Sequence, residues 1–167
     1  QIIHFKEAFH GRTGYTLSLT NTDPIKTKYF PKFEWPRIEN PYLSFPMTSE
    51  VIDNVKEKEE LAISQIKDAI KSNPNDIAGL IIEPIQGEGG DNHFRCRFFE
   101  KLRALADEHE FLLIYDEVQT GVGITGKMWA HQHFTPSLCP CDKTIEKEPL
   151  PDIISFGKKS QVCGILA

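Results

Sequence analysis

Two apolar runs in this chain end abruptly in polar residues of opposite charge. Leu112-Leu113-Ile114-Tyr115 runs into Asp116-Glu117-Val118-Gln119-Thr120-Gly121, and Ile153-Ile154-Ser155-Phe156 runs through Gly157 into Lys158-Lys159. Runs of this kind read as strands covered on both faces. If the two strands are parallel neighbours, Asp116 and Lys158 emerge at the same edge of one sheet, where such sheets bind their ligands. A carboxylate and a lysine amine sharing that edge suit a pyridoxal phosphate site.

Two more polar clusters fall at or just after predicted strand ends: His10-Gly11-Arg12, and the segment from Glu83 to Asp91 with its Gly87, Gly89 and Gly90. Each cluster alone has a plain reading as a helix cap, a surface amine, an ordinary salt bridge or a turn. Sheet geometry brings all four to one edge, and that joint placement points to a site.

The elements that position them follow from periodicity. Gln1 to Phe9 reads as a strand running into a turn at Gly11. Residues 13–48, with Pro24, Pro31, Pro36, Pro41 and Pro46, read as a long irregular excursion pinned by Tyr29, Phe30, Phe33 and Trp35. A helix is predicted from Ser49 to Lys71, with Val51, Ile52, Val55, Ala62, Ile66, Ala69 and Ile70 at helical spacing, ended by Ser72-Asn73-Pro74-Asn75. A buried strand over Ile77 to Ile82 comes next. It is followed by a helix over Arg97 to Glu110, a strand over Phe111 to Tyr115, a short helix near Lys127 to His133, and a strand over Ile153 to Phe156. Alternating strands and helices predict an α/β fold around a parallel sheet with right-handed crossovers.

Composition narrows the function classes. The 167 residues carry a net charge of -5 without a block of like charge, so nucleic acid is not an expected partner. No apolar run approaches the ~20 residues of a membrane span, so no membrane partner is expected either. The four cysteines, Cys96, Cys139, Cys141 and Cys163, match neither a disulfide framework nor a zinc site. Even with His131 and His133 upstream of Cys139-Pro140-Cys141, no metal is expected, and the cysteines read as reduced thiols of a cytoplasmic protein. The chain opens without an initiator Met and stops inside the apolar run Val162 to Ala167, which reads as a piece of a longer protein.

Asp116-Glu117-Val118-Gln119-Thr120-Gly121, followed by Lys158 within Phe156-Gly157-Lys158, resembles the signature of class III pyridoxal-phosphate-dependent aminotransferases, which are fold type I enzymes. Phe9-His10-Gly11-Arg12-Thr13-Gly14 and Glu83-Pro84-Ile85-Gln86-Gly87-Glu88-Gly89-Gly90 resemble two further motifs of that family, in the family's order. The resemblance covers nearly the whole chain. Within the family, the stretches Tyr15 to Thr22, Phe30 to Arg37 and Phe156 to Gly164 are most similar to members that act on the ε-amino group of lysine. Members acting on 4-aminobutyrate share Phe-His-Gly-Arg and the double lysine but are less similar after Gly14 and after Lys159.

The resemblance implies a three-layer α/β/α architecture with a mostly parallel sheet. Residues 1–167 would be part of a cofactor-binding large domain, without the N-terminal segment and the C-terminal small domain. It also implies pyridoxal 5'-phosphate as cofactor, L-lysine and 2-oxoglutarate as substrates, and a homodimeric parent. Another ω-aminotransferase, for 4-aminobutyrate or ornithine, or a catalytically silent fragment, is the alternative. By the same resemblance Lys158 is the amine that bonds to the cofactor and later moves a proton, with Lys159 its competitor. Asp116 is the partner of the pyridine nitrogen, Val118 and Phe9 pack on the two ring faces, and Gln119 bonds near the ring hydroxyl. Arg12 grips the substrate α-carboxylate bidentately. Glu88 is a switch acid that neutralises an arginine from beyond this chain until a dicarboxylate acceptor binds. The stretch Pro136 to Pro149 is longer than the family's usual connection. The family's upstream phosphate loop and downstream phosphate-binding threonine are not in this sequence, so the isolated chain is expected to be inactive.

Overall fold

The apolar runs become strands because the backbone buries its polar groups in ladders while both faces meet apolar side chains. In the computed structural model, which describes residues 1–135 and 147–167, the strands are β1 (Ile2–Phe5), β2 (Arg37–Ile38), β3 (Gly79–Ile82), β4 (Ile85–Gln86), β5 (Asn92–His93), β6 (Leu112–Asp116), β7 (Ile153–Phe156) and β8 (Gly164–Leu166). A six-stranded sheet has the order β2-β1-β3-β6-β7-β8, and β4 and β5 form a separate antiparallel pair. Every neighbour in the large sheet is parallel except β8, which runs antiparallel to β7. In β6 and β7 Ile114 faces Ile153 and Asp116 faces Ser155. The two runs that end in acid and lysine are thus adjacent and parallel, and the α/β architecture expected from the sequence is the one observed.

Among the described residues three α-helices accompany the sheet: α1 (Gly14–Leu19), α2 (Ser49–Ser72) and α3 (Cys96–His109). Helix α2 starts where Thr48 accepts a hydrogen bond from the Val51 N–H at 3.3 Å, and it ends where the Asn73 side chain donates to the Ala69 carbonyl at 2.8 Å. Its inward face carries Val55, Ala62, Ile63 and Ile66, and that of α3 carries Phe98, Phe99, Leu102, Leu105 and Ala106. All of these but Val55 join Ile3, Phe5, Leu80, Ile82, Leu113 and Tyr115 from the sheet in one core. Each large side chain fully buried there contributes about 1.5–3 kcal/mol. Phe99 stacks on Phe134 with centroids 4.2 Å apart and meets Tyr115 edge-on at 5.5 Å. After α3, Glu110 turns the chain with φ 56, and β6 begins two residues later.

Several expectations are corrected. The first strand stops at Phe5, because Glu7 takes a left-handed φ of 60. The excursion 13–48 contains α1, a 3-10 turn (Pro24–Lys26) and β2, elements too short to leave a periodic signature. Its aromatics do not pin it to the core. Tyr15, Phe33 and Trp35 stack on one another with centroids 5.1–6.2 Å apart, and Tyr29 and Phe30 are exposed. The helix expected near Lys127 to His133 is a 3-10 turn over Ala130–His133. Cys96 is disulfide-bonded rather than a reduced thiol, since chain spacing does not report proximity across a fold. Cys163 is free and exposed. Cys139, Cys141 and most of the long connection from Pro136 to Pro149 lie outside the described residues.

Candidate active site

The carboxyl ends of β1, β3, β6 and β7 surround a cleft of about 140 Å³ lined by Phe9, His10, Gly11, Glu83, Asp116, Val118, Gln119 and Lys158. Residues from all four polar clusters meet there. Of the seven site residues expected from the sequence, Phe9, Asp116, Val118, Gln119 and Lys158 line the cleft, whereas Arg12 and Glu88 do not. A larger pocket of about 420 Å³, with Leu43, Phe45, Phe94 and Phe134 in its wall, has no acid, lysine or arginine among its lining residues. It offers no comparable chemistry.

Asp116 ends β6 and is buried, 7 % exposed. Its Oδ1 accepts from the Val118 N–H at 3.2 Å and from the Ser155 hydroxyl at 3.0 Å. The first bond is the local turn that aspartates form with the backbone two residues on. The second follows from the strand register. Its Oδ2 lies 2.8 Å from His10 Nδ1. Burial pushes the Asp116 carboxyl up, but the hydrogen bond and charge of His10, with the Val118 and Ser155 bonds, outweigh it and hold the pKa below the ordinary value. An anion is therefore kept in a largely dry wall. Because an ionised carboxylate only accepts, His10 Nδ1 is the donor. His10 Nε2 is buried with no protein hydrogen-bond partner among the described residues.

Glu83, just after β3, is a second buried acid. Its carboxylate oxygens accept from the Phe9 N–H at 2.9 Å and the Gly87 N–H at 3.3 Å, tying the segment after β1 to the glycine-rich loop. Burial and the nearby Asp116 charge push its pKa up to about 7, against the lowering effects of His10 and the two backbone bonds.

Lys158 opens a 3-10 turn (Lys158–Ser160) in a left-handed conformation, φ 46. A lysine held there carries backbone strain of order 1 kcal/mol or more, a feature that clusters at functional sites. Gly157 permits the approach of this turn. A Cβ at that position would lie 3.0 Å from Cys163 Sγ and 3.6 Å from Val118 Cγ1. Lys159 is exposed and does not line the cleft. Behind Val118 and Gln119, the Glu117 carboxylate accepts from the Thr120 hydroxyl, the Ala130 and His131 N–H groups and His131 Nδ1, at 2.6–3.0 Å. That net of bonds fixes the wall.

Arg12 is exposed and makes no hydrogen bond or ion pair among the described residues. Glu88 is ion-paired to Lys26, whose ammonium also lies 5.9 Å from the Phe9 ring centroid. Sequence reasoning passed over His10, Glu83 and Ser155 as side chains that shape the site. Ser155 was the readable one, as the lone polar residue inside an apolar strand. His10 and Glu83 acquire their importance only from partners on other strands. Chemically, the cleft can hold a flat heteroaromatic ring, with Phe9 and Val118 as apolar walls, Asp116 as the anion for a ring N–H, and Lys158 as the amine at hand.

Comparison with known proteins is consistent with this chemistry. The family model described as aminotransferase class-III matches residues 1–166. A relative named L-lysine-epsilon aminotransferase from Mycobacterium tuberculosis is 50% identical over 167 residues, which is 100% of this chain and 34% of the relative. A 4-aminobutyrate aminotransferase from Emericella nidulans is 40% identical over 163 residues, covering 98% of this chain and 30% of the relative. The solved structure of a lysine aminotransferase from M. tuberculosis superposes with a TM-score of 0.86 at 48% identity, covering 100% of this chain and 35% of that one. The chain spans about a third of the length of the curated relatives it matches.

Proposed function

Since the chain belongs to the class-III aminotransferases, we propose that residues 1–167 are part of the cofactor-binding domain of a pyridoxal-phosphate enzyme. That enzyme would move the ε-amino group of L-lysine to 2-oxoglutarate, giving glutamate and 2-aminoadipate 6-semialdehyde. The observation that carries the proposal is the meeting of Asp116 and Lys158 in one cleft at the ends of two adjacent parallel strands.

The residues present fit the cofactor. Pyridoxal phosphate, when bound, supplies an electron sink that stabilises negative charge beside the reacting nitrogen. Asp116, ionised and held by three donors, would hold a proton on the ring nitrogen. His10 keeps that carboxylate charged and fixed. Phe9 and Val118 would sandwich the ring and exclude water, and Gln119 would donate to a ring substituent. Lys158 Nζ would bond to the cofactor at rest and carry the proton during transfer. Arg12, exposed beside cleft-lining Gly11, suits a substrate α-carboxylate because a guanidinium fork binds it bidentately. A lysine gripped at that end would present its ε-amine to the cleft. Residues beyond this chain would complete the phosphate site, and a homodimeric parent belongs to the same proposal.

The donor assignment is supported by the 50% identity to the relative named for lysine, spread over the whole chain. The 40% identity to a 4-aminobutyrate aminotransferase favours a second reading with that donor. An amine-donor screen of the full-length parent, with 2-oxoglutarate as acceptor, separates them. Preference for L-lysine over ornithine and 4-aminobutyrate is expected, and a clear preference for 4-aminobutyrate would remove the lysine assignment.

A further inference from the structure

Glu83 holds two parts of the site with one carboxylate. Its oxygens accept from the Phe9 N–H at 2.9 Å and from the Gly87 N–H at 3.3 Å. Phe9 lines the cleft, and Gly87 backs another of its residues. A Cβ added at Gly87 would lie 3.2 Å from Cγ, Cδ and Nε2 of Gln119. The bare Gly87 backbone is therefore the seat against which the Gln119 amide rests. Both ends of this bridge have other anchors. On either side of Phe9, the Asn21 N–H donates to the Ala8 carbonyl at 2.8 Å and the His10 N–H donates to Thr20 Oγ1 at 3.0 Å. Next to Gly87, Gln86 Nε2 donates to the Lys6 carbonyl at 2.9 Å. Glu83 itself is 3% exposed, so bulk water does not readily replace a bond lost there.

We propose that Glu83 is a positioning residue of the cofactor cleft: through Gly87 it sets where the Gln119 amide stands relative to the Phe9 ring. The inference rests on the pyridoxal-phosphate reading above and adds a residue that acts through two others. A flat ring lying on Phe9 meets a side-chain donor at its edge only if the spacing from wall to donor is fixed. Such a constellation has to be held to within about 0.5 Å. An ionised Glu83 offers an acceptor to each of the two N–H groups, whereas a neutral amide in its place offers one acceptor to both. The longer bond, to Gly87, is the one such an amide gives up. The loop then stays tied at Gln86 while the seat of Gln119 shifts.

The test is a set of double-mutant cycles on cofactor affinity. Equilibrium dialysis of the full-length holoenzyme at pH 8, where the Glu83 carboxyl is ionised, gives the Kd for pyridoxal 5'-phosphate. Glu83→Gln should weaken binding about tenfold, the size that loss of a supporting hydrogen bond brings. In the Gln119→Ala background the same change should cost less than about threefold, because the side chain it positions is gone. In the Phe9→Leu background, whose N–H still reaches position 83, the loss should stay at about tenfold. Glu83→Asp keeps the charge but draws it back by one methylene, and it should weaken binding as well. The visible absorption of the bound cofactor should move in Glu83→Gln toward that of Gln119→Ala, a signature that general loosening does not give. Equal losses in all three backgrounds, a loss abolished by Phe9→Leu as well, or full affinity in either Glu83 variant would each overturn the assignment. The readings fail separately. A parent that binds no pyridoxal phosphate removes both, additive losses in a parent that binds it remove this inference alone, and a preference for 4-aminobutyrate removes only the lysine donor.

Discussion

His10 Nδ1 lies 2.8 Å from Asp116 Oδ2, although the two residues are 106 positions apart. The contact joins the segment after β1 to the end of β6, with β3 between them in the sheet. With the Ser155 hydroxyl and the Val118 N–H on the other oxygen, it gives Asp116 donors from three parts of the chain. No single strand could hold this carboxylate both buried and ionised.

Replacing His10 by Leu should therefore change how Asp116 titrates. The variant loses the strongest influence lowering the carboxyl's pKa, and burial, which pushes it up, is left less opposed. The acid limb of kcat/KM for the full-length enzyme should move to higher pH, and kcat/KM near neutrality should fall on the order of tenfold or more. A pH–rate profile that superimposes on the parent's would remove His10 from this role.

Glu83 gives the opposite sign. Its folded pKa, about 7, lies above the ordinary 4.5, so the native state holds the proton longer than the unfolded chain. Its contribution to stability is greatest below 4.5 and falls as pH rises to about 7, by roughly 3 kcal/mol at 1.36 kcal/mol per pKa unit. Glu83→Gln keeps an acceptor for the Phe9 N–H and cannot ionise. Denaturant midpoints of the full-length protein at pH 5 and pH 8 should show the variant gaining on the parent at the higher pH. A difference independent of pH would refute the assignment.

Much of this arrangement was legible before any coordinates. Leu112 to Tyr115 and Ile153 to Phe156 announced themselves as strands because each is a short, nearly continuous apolar run, and parallel pairing then put Asp116 and Lys158 at one edge. The His10–Asp116 and Lys26–Glu88 contacts were not legible, because each joins distant segments whose local sequence carries no trace of the other. Helix α1 was hidden for a different reason. Six residues with Leu17, Ser18 and Leu19 buried give no helical period to read. Cys96 shows the same limit, since its disulfide depends on a proximity that spacing alone does not encode.

The two lysines after β7 are separable by covalent trapping. Lys158 lines the cleft and Lys159 does not. Borohydride reduction of the full-length enzyme with bound cofactor, followed by peptide sequencing, should place the label on Lys158. Lys158→Ala should abolish turnover while Lys159→Ala retains it. A label on Lys159 would reverse the assignment.

Gly89 is a packing constraint on the loop that carries Glu88. A Cβ at that position would sit 2.1 Å from the Glu7 carbonyl oxygen, a backbone atom that cannot swing aside. Gly89→Ala should destabilise by about 1–3 kcal/mol and displace the loop. Urea unfolding of the full-length protein reads the first effect, and a crystal structure of the variant reads the second. An unchanged midpoint would mean that the loop relaxes freely.

Glu117 shows how the turn after Asp116 is kept in shape. Its side chain is fully buried, and its oxygens accept from Thr120 Oγ1 at 2.6 Å, Ala130 N at 2.8 Å, and both N and Nδ1 of His131 at 3.0 Å. Burial raises its carboxyl, and the His131 and Thr120 side-chain bonds with the two N–H groups more than reverse that, so the net pKa is below 4.5. A depressed carboxyl contributes stability that is present above its unfolded pKa and is lost as pH falls through the folded one. Glu117→Gln keeps the volume but replaces one acceptor oxygen with a donor that faces N–H groups and a hydroxyl. The expected cost is about 2–4 kcal/mol at neutral pH, because buried donors lose their partner. The gap between parent and variant should narrow as the solution is taken below pH 4. Val118 and Gln119 lie between Glu117 and its partner Thr120, so the same substitution should also weaken cofactor retention, read as cofactor released on gel filtration. A variant that unfolds at the parent's urea midpoint and keeps its cofactor would show that the turn holds its shape without the Glu117 net.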